Sequence, residues 1–421
     1  MRNLTILLTA GTLLIACGDK EDDSGTTTDD TAASSDMSFC TDLVEGFCYL
    51  GGEYTGDITL TTDYDYVLEG GVFIGDDTST NTLTIEAGVT IYGDSATDGF
   101  LTIRRNAKIM AVGTADAPIV FTSAQAVGSR GQGDWGGLIL NGNAPINNCS
   151  DGVSENLPCE AEGEGGTGFY GGEDAADSSG TLKYVRLEYG GTEITTDNEV
   201  NGIAFQGVGS GTTVSYVQVH MNKDDGVEFF GGTVNVDHLV LTAIGDDSFD
   251  YVNGWSGTAD TIAIRQYDAI ESDRGFELDN FEDQEGALPR SNPNIKNVTL
   301  IGGGGETQGM TIRRGSAGSF DNIAATGFGD TCIDIDSTST WELADSGALT
   351  MTNSVLACSD NFKEDDDAKD GWSVESWFTG QSGNSTTSDL GLTDWLPTSG
   401  TLGAFSAGDD WTVGWTNYAL N

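Results

Sequence analysis

The sequence predicts an all-β chain wound as a parallel β-helix, and three observations carry that expectation. The first is repetition. Residues 214–280 contain three rungs, VSYVQVHMNKDDGVEFFGGT, VDHLVLTAIGDDSFDYVNGW and TIAIRQYDAIESDRGFELDN, in which Gly226, Ser248 and Gly275 hold equivalent places 22 and 27 residues apart. Self-similarity at such a period signals stacked coils. The second is alternation: one apolar pair precedes each polar corner (Val217/Val219, Leu239/Leu241, Ile262/Ile264) and another follows it (Val227/Phe229, Phe249/Tyr251, Phe276/Leu278). Each coil thereby buries a side chain every second residue. The third is composition, because sixty glycines against six prolines suit many tight turns, and the lack of a glycine triplet period excludes collagen. A solenoid also holds 421 residues in one elongated domain, since each repeat touches only its neighbours.

Taken in order, residues 1–17 read as a lipoprotein signal. Arg2 supplies a positive start, 4–15 are largely apolar, and Leu14-Ile15-Ala16-Cys17 matches a cleavage site before a cysteine that becomes lipidated. The apolar run is too short for a transmembrane helix. The expectation is an exported protein held in the outer membrane by acyl chains on Cys17 and displayed at the cell surface, because Gly18 and the acidic run 19–23 follow the cysteine. Residues 18–36 are Ser, Thr, Asp and Ala with little to bury, hence an acidic disordered tether. An N-terminal cap is expected over 37–53, the β-helix over 54–359 and a C-terminal cap over 360–421. Short alternating strands are expected at 58–60, 66–68, 72–74, 83–85, 89–91, 101–103, 108–110, 119–121 and 138–140. Residues 149–177 and 280–293 interrupt the coils as long loops. Five of the eight tryptophans, Trp372, Trp377, Trp395, Trp411 and Trp415, crowd the last stretch. They suit either an aromatic cap over the open coil end or a platform for stacking sugars.

Setting Cys17 aside leaves Cys40, Cys48, Cys149, Cys159, Cys332 and Cys358. An even set in an exported chain reads as disulfides, and although six cysteines allow fifteen connectivities, each lies nearest its expected mate in sequence. Zinc is the weaker reading, because no C-x-x-C occurs and only His220 and His238 are present.

The net charge of −50, from 67 acidic and 17 basic residues, excludes nucleic acid as a partner, since phosphate recognition needs Lys and Arg. The acidity concentrates in the three rungs. Stacking them places Asp224, Asp246 and Asp273 in one column, Asp225, Asp247 and Arg274 in the next, and Glu228, Asp250 and Glu277 in a third that points away from the core, with Thr311 continuing it and Asp334 and Asp336 added where the series closes. Like charges directly across strands repel. Either a cation, calcium by its taste for several carboxylate oxygens, occupies the lattice, or the columns are a solvated edge that discourages aggregation. The metal set would be Asp224, Asp225, Glu228, Asp246, Asp247, Asp250, Asp273 and Glu277.

The run LTIEAGVTIYGDSATDGFLTIRRNAKIMAVGTADAPIVFTSAQAVGSRGQGDWGGLILNGNAPIN, followed by GFYGGEDAADSSGTLKYVRLEYGG, DDGVEFFGGTVNVDHLV and GAFSAGDDWTVGWTNYAL, resembles a large family of exported bacterial right-handed parallel β-helices. The resemblance implies a scaffold and an extracellular location, and no activity. Many such relatives carry a C-terminal secretion domain, and this chain departs from them by stopping at Asn421. More locally, Asn222-x-Asp224 and Gly245-Asp246-Asp247 resemble elements of polygalacturonases, but Asp273-Arg274-Gly275 stands where that family has a glycine-flanked histidine. A glycoside hydrolase on the polygalacturonase pattern would use Asp246 and Asp247 as its carboxylates, whereas a β-helical polyuronate lyase would hold calcium on Asp225, Asp247, Asp250 and Glu277 with Arg274 or Arg313 as base, a demanding role for a guanidinium. Two functions follow: a surface-anchored, cation-braced module that binds polysaccharide or a surface protein, or a calcium-dependent carbohydrate-active enzyme. A groove walled by the long loops would favour the enzyme, and a flat acidic face the module.

Overall fold

The computed structural model describes residues 37–149, 158–195, 198–363 and 371–420. The expected signal, the lipidation at Cys17 and the tether lie outside these residues. Twenty-six strands hydrogen-bond into one continuous system whose coil-to-coil pairings are parallel, and such crossovers wind right-handed. The fold class read from the repeats is the fold adopted. Every strand expected between 58 and 140 is present, with 66–68 and 72–74 joined as Asp65–Ile74.

Each coil contributes to three faces. The first runs through Phe100–Ile103, Leu138–Asn141, Ile203–Gln206, Val227–Phe230, Phe249–Val252, Arg274–Asp279, Gln308–Arg313 and Thr331–Ile335. The second and third are the two halves of longer strands, among them Thr213–His220, Asn235–Thr242, Thr258–Arg265 and Asn294–Gly304. These strands bend at one residue with positive φ: Tyr184 (50°), Tyr216 (55°), His238 (56°), Thr261 (62°), Asn297 (57°) and Asn322 (57°). The ladder skips each bend residue, so Ser215 pairs with Asp237 and Val217 with Leu239 while Tyr216 and His238 face one another outside it. Their side chains stack instead. Tyr184 lies 4.5 Å from Tyr216, and Tyr216 lies 4.3 Å from His238 between ring centroids; further along, Asn322 donates to Asn297 at 2.8 Å.

Inside the coil, the alternation seen in sequence becomes a column of rings. Phe205, Phe229, Phe249 and Phe276 succeed one another at 4.9, 5.0 and 4.9 Å, close to the strand spacing that brings like residues together. All four are buried, and each contributes about 1.5–3 kcal/mol by leaving water.

The six cysteines pair as Cys40–Cys48, Cys149–Cys159 and Cys332–Cys358, the sequential arrangement expected. At the N-terminal end, Asp42–Val44 turns back on Phe47–Tyr54, which already pairs in parallel with Asp65–Ile74. The stack of coils therefore starts within 37–53. The aromatic C-terminal stretch does two jobs. The helix Val374–Thr379 brings Val374, Trp377 and Phe378 onto the end of the core, beside Trp341 of the helix Thr338–Ser346. The chain then returns along the side, where Trp395, Phe405 and Trp415 pack on Val240 and Ala263, and Trp411 leans on the Tyr216–His238 stack. Trp377, Trp395 and Trp415 are buried, so their faces are closed to sugars and the stacking-platform reading fails for them.

Candidate metal centre

The acidic rungs meet at the corner between the third face and the first. The corner turns are tight because successive coils touch there: a Cβ on Gly245 would stand 2.2 Å from the Lys223 carbonyl oxygen. Hydrogen bonds lock the register. Asp225 Oδ1 accepts the backbone N–H of Asp247 at 3.0 Å, and Asp247 Oδ1 accepts that of Arg274 at 2.7 Å. The column Asp225–Asp247–Arg274 is thus a chain of side chains each holding the next coil. On the adjoining face Glu228, Asp250, Glu277, Thr311 and Asp334 stand in register, the third column read from the sequence.

The columns are not a solvated edge. Asp225, Glu228, Asp247 and Asp250 are 7, 8, 3 and 5% exposed, whereas Asp246 is open and Asp224 and Asp273 are half-buried. Burial, reinforced by neighbouring carboxylates, pushes Asp225, Asp247 and Asp250 well above the usual carboxylate range. Burial and then the Asp246 charge raise Asp224 to about 7. Burial and then Asp273 raise Asp246 as well.

Arginine neutralises only part of this charge. Arg274 reaches Asp273 at 2.6 Å, Glu277 at 2.9 Å and Asp247 at 3.4 Å, and donates to Thr311 at 3.2 Å. Arg313 binds Glu277 and, at 3.0 Å, Asp279, which Arg314 also holds at 2.7 Å. For both Arg274 and Arg313 burial works against the charge, but the facing carboxylates outweigh it and raise their pKa.

Three groups of carboxylates lie with oxygens within 4.8 Å of one another: Asp225/Glu228/Asp250, Asp224/Asp225/Asp246 and Asp246/Asp247/Asp273. All eight residues expected to hold metal lie in this corner, and Glu277 is set apart by its two arginines. The first group is enclosed. Asn201 donates to Glu228 Oε2 at 2.7 Å, while Asp250 Oδ1 is buried without a hydrogen-bond partner among the described residues. A donor set of carboxylate oxygens alone suits calcium and excludes the soft-ligand metals.

Sequence reasoning missed Asn201. It occupies the rung before Asp225, since Ile203 pairs with Val227, and aligning NGIAF under DGVEF would have placed it in the Asp225–Asp247–Arg274 column. Asn222, read as part of a polygalacturonase-like element, donates its side chain to the Asp225 carbonyl at 2.7 Å and braces the turn. Asp224 and Asp246 do sit one coil apart.

An open cleft of about 560 Å³ adjoins the corner, lined by Asp246, Asp268, Glu271, Asp273 and Glu306, and no lysine or arginine is among the described residues that line it. Its walls are 267–273 and 303–307. The long loops expected to form walls lie elsewhere: Ile146, Cys149, Cys159 and Tyr170 cover Ile139 and Ala204 of the first face, and Asn147 joins that cover to Asn280 at 2.9 Å. The groove exists, but shorter corner loops make it.

No curated protein matches this chain, and no solved structure matches it. The family model for the pectate-lyase like β-helix domain covers residues 52–416, nearly all the coils described above, and the chain belongs to that family.

Proposed function

We propose that this chain is an exported binding module, anchored by lipid on Cys17 and displayed at the outer membrane surface, whose corner cleft takes an anionic polysaccharide through calcium. The observation that carries the reading is the cleft itself, 560 Å³ lined by five carboxylates beside the buried corner. A polyanion repelled by such a surface requires a bridging cation. Calcium would be held by the corner carboxylates and would supply positive charge and open oxygen positions to a uronate. The family supports a carbohydrate-facing scaffold; fold alone assigns no chemistry.

The cleft also favours a second reading, a calcium-dependent lyase or glycoside hydrolase with Asp246 and Asp247 beside Arg274 or Arg313. What weighs against lyase chemistry is the state of the arginines. A base must be deprotonated, and both guanidiniums are held charged by carboxylates on two or more sides. One experiment addresses both readings. The full chain is run by affinity electrophoresis through polyuronate and through a neutral glucan, with calcium or with chelator. Retardation is expected only with polyuronate and calcium together, and Asp246→Asn should weaken it about tenfold. Equal retardation in chelator or in glucan refutes the module. Unsaturated uronate appearing in the same mixture would establish the lyase instead.

A further inference from the structure

We propose that the open edge of the first coil, residues 52–60, is a docking site for an extended segment of a partner protein that carries lysine or arginine at alternate positions and pairs there as an added strand. The inference goes beyond the cleft and needs no metal.

The two ends of the coil stack are finished differently. At the C-terminal end, side chains of the cap take up backbone groups of the last coil. Gln381 Oε1 accepts the Met351 N–H at 2.9 Å, and Trp377 Nε1 donates to the Leu349 carbonyl at 3.3 Å. Asn384 donates to the Met351 carbonyl at 2.8 Å and accepts the Ser354 N–H at 2.9 Å. At the N-terminal end, the hairpin strand Asp42–Val44, stapled by Cys40–Cys48, covers only Phe47–Tyr49. Beyond it, Gly52–Tyr54 and Ile58–Leu60 pair with the second coil on one side, and among the described residues no strand pairs with them on the other. The space beside them is open. A Cβ on Gly52 or Gly56 would meet nothing within 4 Å, and Glu53, Asp57 and Thr59 are exposed. A row of backbone donors and acceptors left unpaired in this way is a template for a further strand.

Charge then selects the partner. Between residues 37 and 103 the sequence has twelve acidic residues and no lysine or arginine. Glu53 and Asp57 stand on the edge itself, and Asp42 and Glu45 are exposed on the hairpin. Arg104 meets Glu53 at 2.6 Å, and Asp57 Oδ1 accepts the Thr82 N–H at 2.9 Å. Acidic side chains along an edge keep a second copy of the same acidic chain away, whereas complementary charge speeds and orients the docking of a cationic strand. The pleat sets the pattern of that strand. Ile58 and Leu60 are buried and Thr59 points outward, so an added strand presents every second side chain on the acidic surface.

The test uses the purified full chain in chelator and two fluorescent peptides of about eight residues. One alternates lysine with valine; the other has the same sequence with its backbone amides N-methylated, which removes the donors and keeps the charge. Fluorescence anisotropy should show the unmodified peptide bound at least about tenfold more tightly, and hydrogen exchange should show new protection at 52–54 and 58–60. Glu53→Gln combined with Asp57→Asn should weaken the unmodified peptide about fivefold. Melting checks the fold of that variant, and should it melt early, the comparison of the two peptides on the wild type decides alone. Equal binding of the two peptides, binding of neither, or protection confined to 42–44 or to the cleft walls 267–273 and 303–307 overturns the proposal. So does dimerisation of the peptide-free chain with protection at 52–60, which would give the edge to a second copy.

Discussion

Raising the pH of the metal-free protein should destabilise it, which is the reverse of what paired carboxylates do. In the folded chain Asp224 titrates at about 7 instead of 3.8. Between those values the native state keeps a proton that the unfolded chain has released, so the native state binds more protons and stability falls as pH rises. Each tenfold change in proton affinity corresponds to about 1.4 kcal/mol. The rise from 3.8 to about 7 therefore amounts to at most about 4 kcal/mol, lost progressively between about pH 4 and pH 8. Asp225, Asp247 and Asp250 are raised as well and steepen the fall. Saturating calcium should flatten or reverse the slope, because the ion replaces protons on the native state only. Urea unfolding at pH 5 and pH 8, with chelator and with calcium at one fixed ionic strength, measures this directly. Metal-free protein as stable at pH 8 as at pH 5 would refute the burial argument for the whole corner.

The other expectations concern the scaffold. Truncating Phe229→Ala, in the middle of the ring column, should cost about 3–5 kcal/mol, read from denaturant midpoints. Replacing Cys332 and Cys358 by serine opens a loop with a sequence separation of 26, and chain entropy sets the loss at about 3.5 kcal/mol, measured against the reduced wild type as a control. Burial lowers the pKa of His220, whose ring meets Thr242 Oγ1 at 2.8 Å and the Ala419 carbonyl at 2.9 Å. A histidine depressed in the folded state contributes stability present above about pH 6.5 and lost as pH falls below it. Protection against hydrogen exchange at 416–420, taken relative to the intrinsic rate at each pH, should fall in acid and should be low at all pH values in His220→Ala.

Much of the corner was legible because β-helix coils convert sequence period directly into stacking. Once Gly226, Ser248 and Gly275 are aligned, every member of the three acidic columns falls into register, as do Thr311 and Asp334. Burial was not legible. The same carboxylates would be solvated if Asn201 and the arginines did not lie against them, and nothing in DDGVE distinguishes the two outcomes. Some of the bends were also hidden, since Tyr and Thr at positive φ contradict their local preferences, and Tyr216 is held there by stacking on Tyr184 and His238 of the neighbouring coils. The side-lying C-terminal strap illustrates a third limit. Its tryptophans predict that apolar surface will be covered, but which surface is decided by contacts far away in sequence, such as Arg186 Nη1 on the Trp415 carbonyl and Gln218 on Asn417.

The columns also set where the charge of the corner is met within the chain. Down one column the residues are Asn201, Asp225, Asp247 and Arg274; down the other they are Ala204, Glu228, Asp250, Glu277 and Thr311. Charge begins after a neutral rung and is met on its third rung by Arg274, with Arg313 on the fourth. Buried charges are tolerated when each is paired, and an unpaired one costs several kcal/mol. Working inward from the arginines, Glu277, Asp273 and Asp279 are paired directly, and Asp247 is shared between the Arg274 N–H and its guanidinium. On the earlier rungs Asn201 donates to Glu228 and the Asp247 N–H to Asp225, and Asp250 adds to the negative field that raises Arg313. The chain supplies its own cations on one side of the corner, at Arg274, Arg313 and Arg314, and amide and backbone donors on the other.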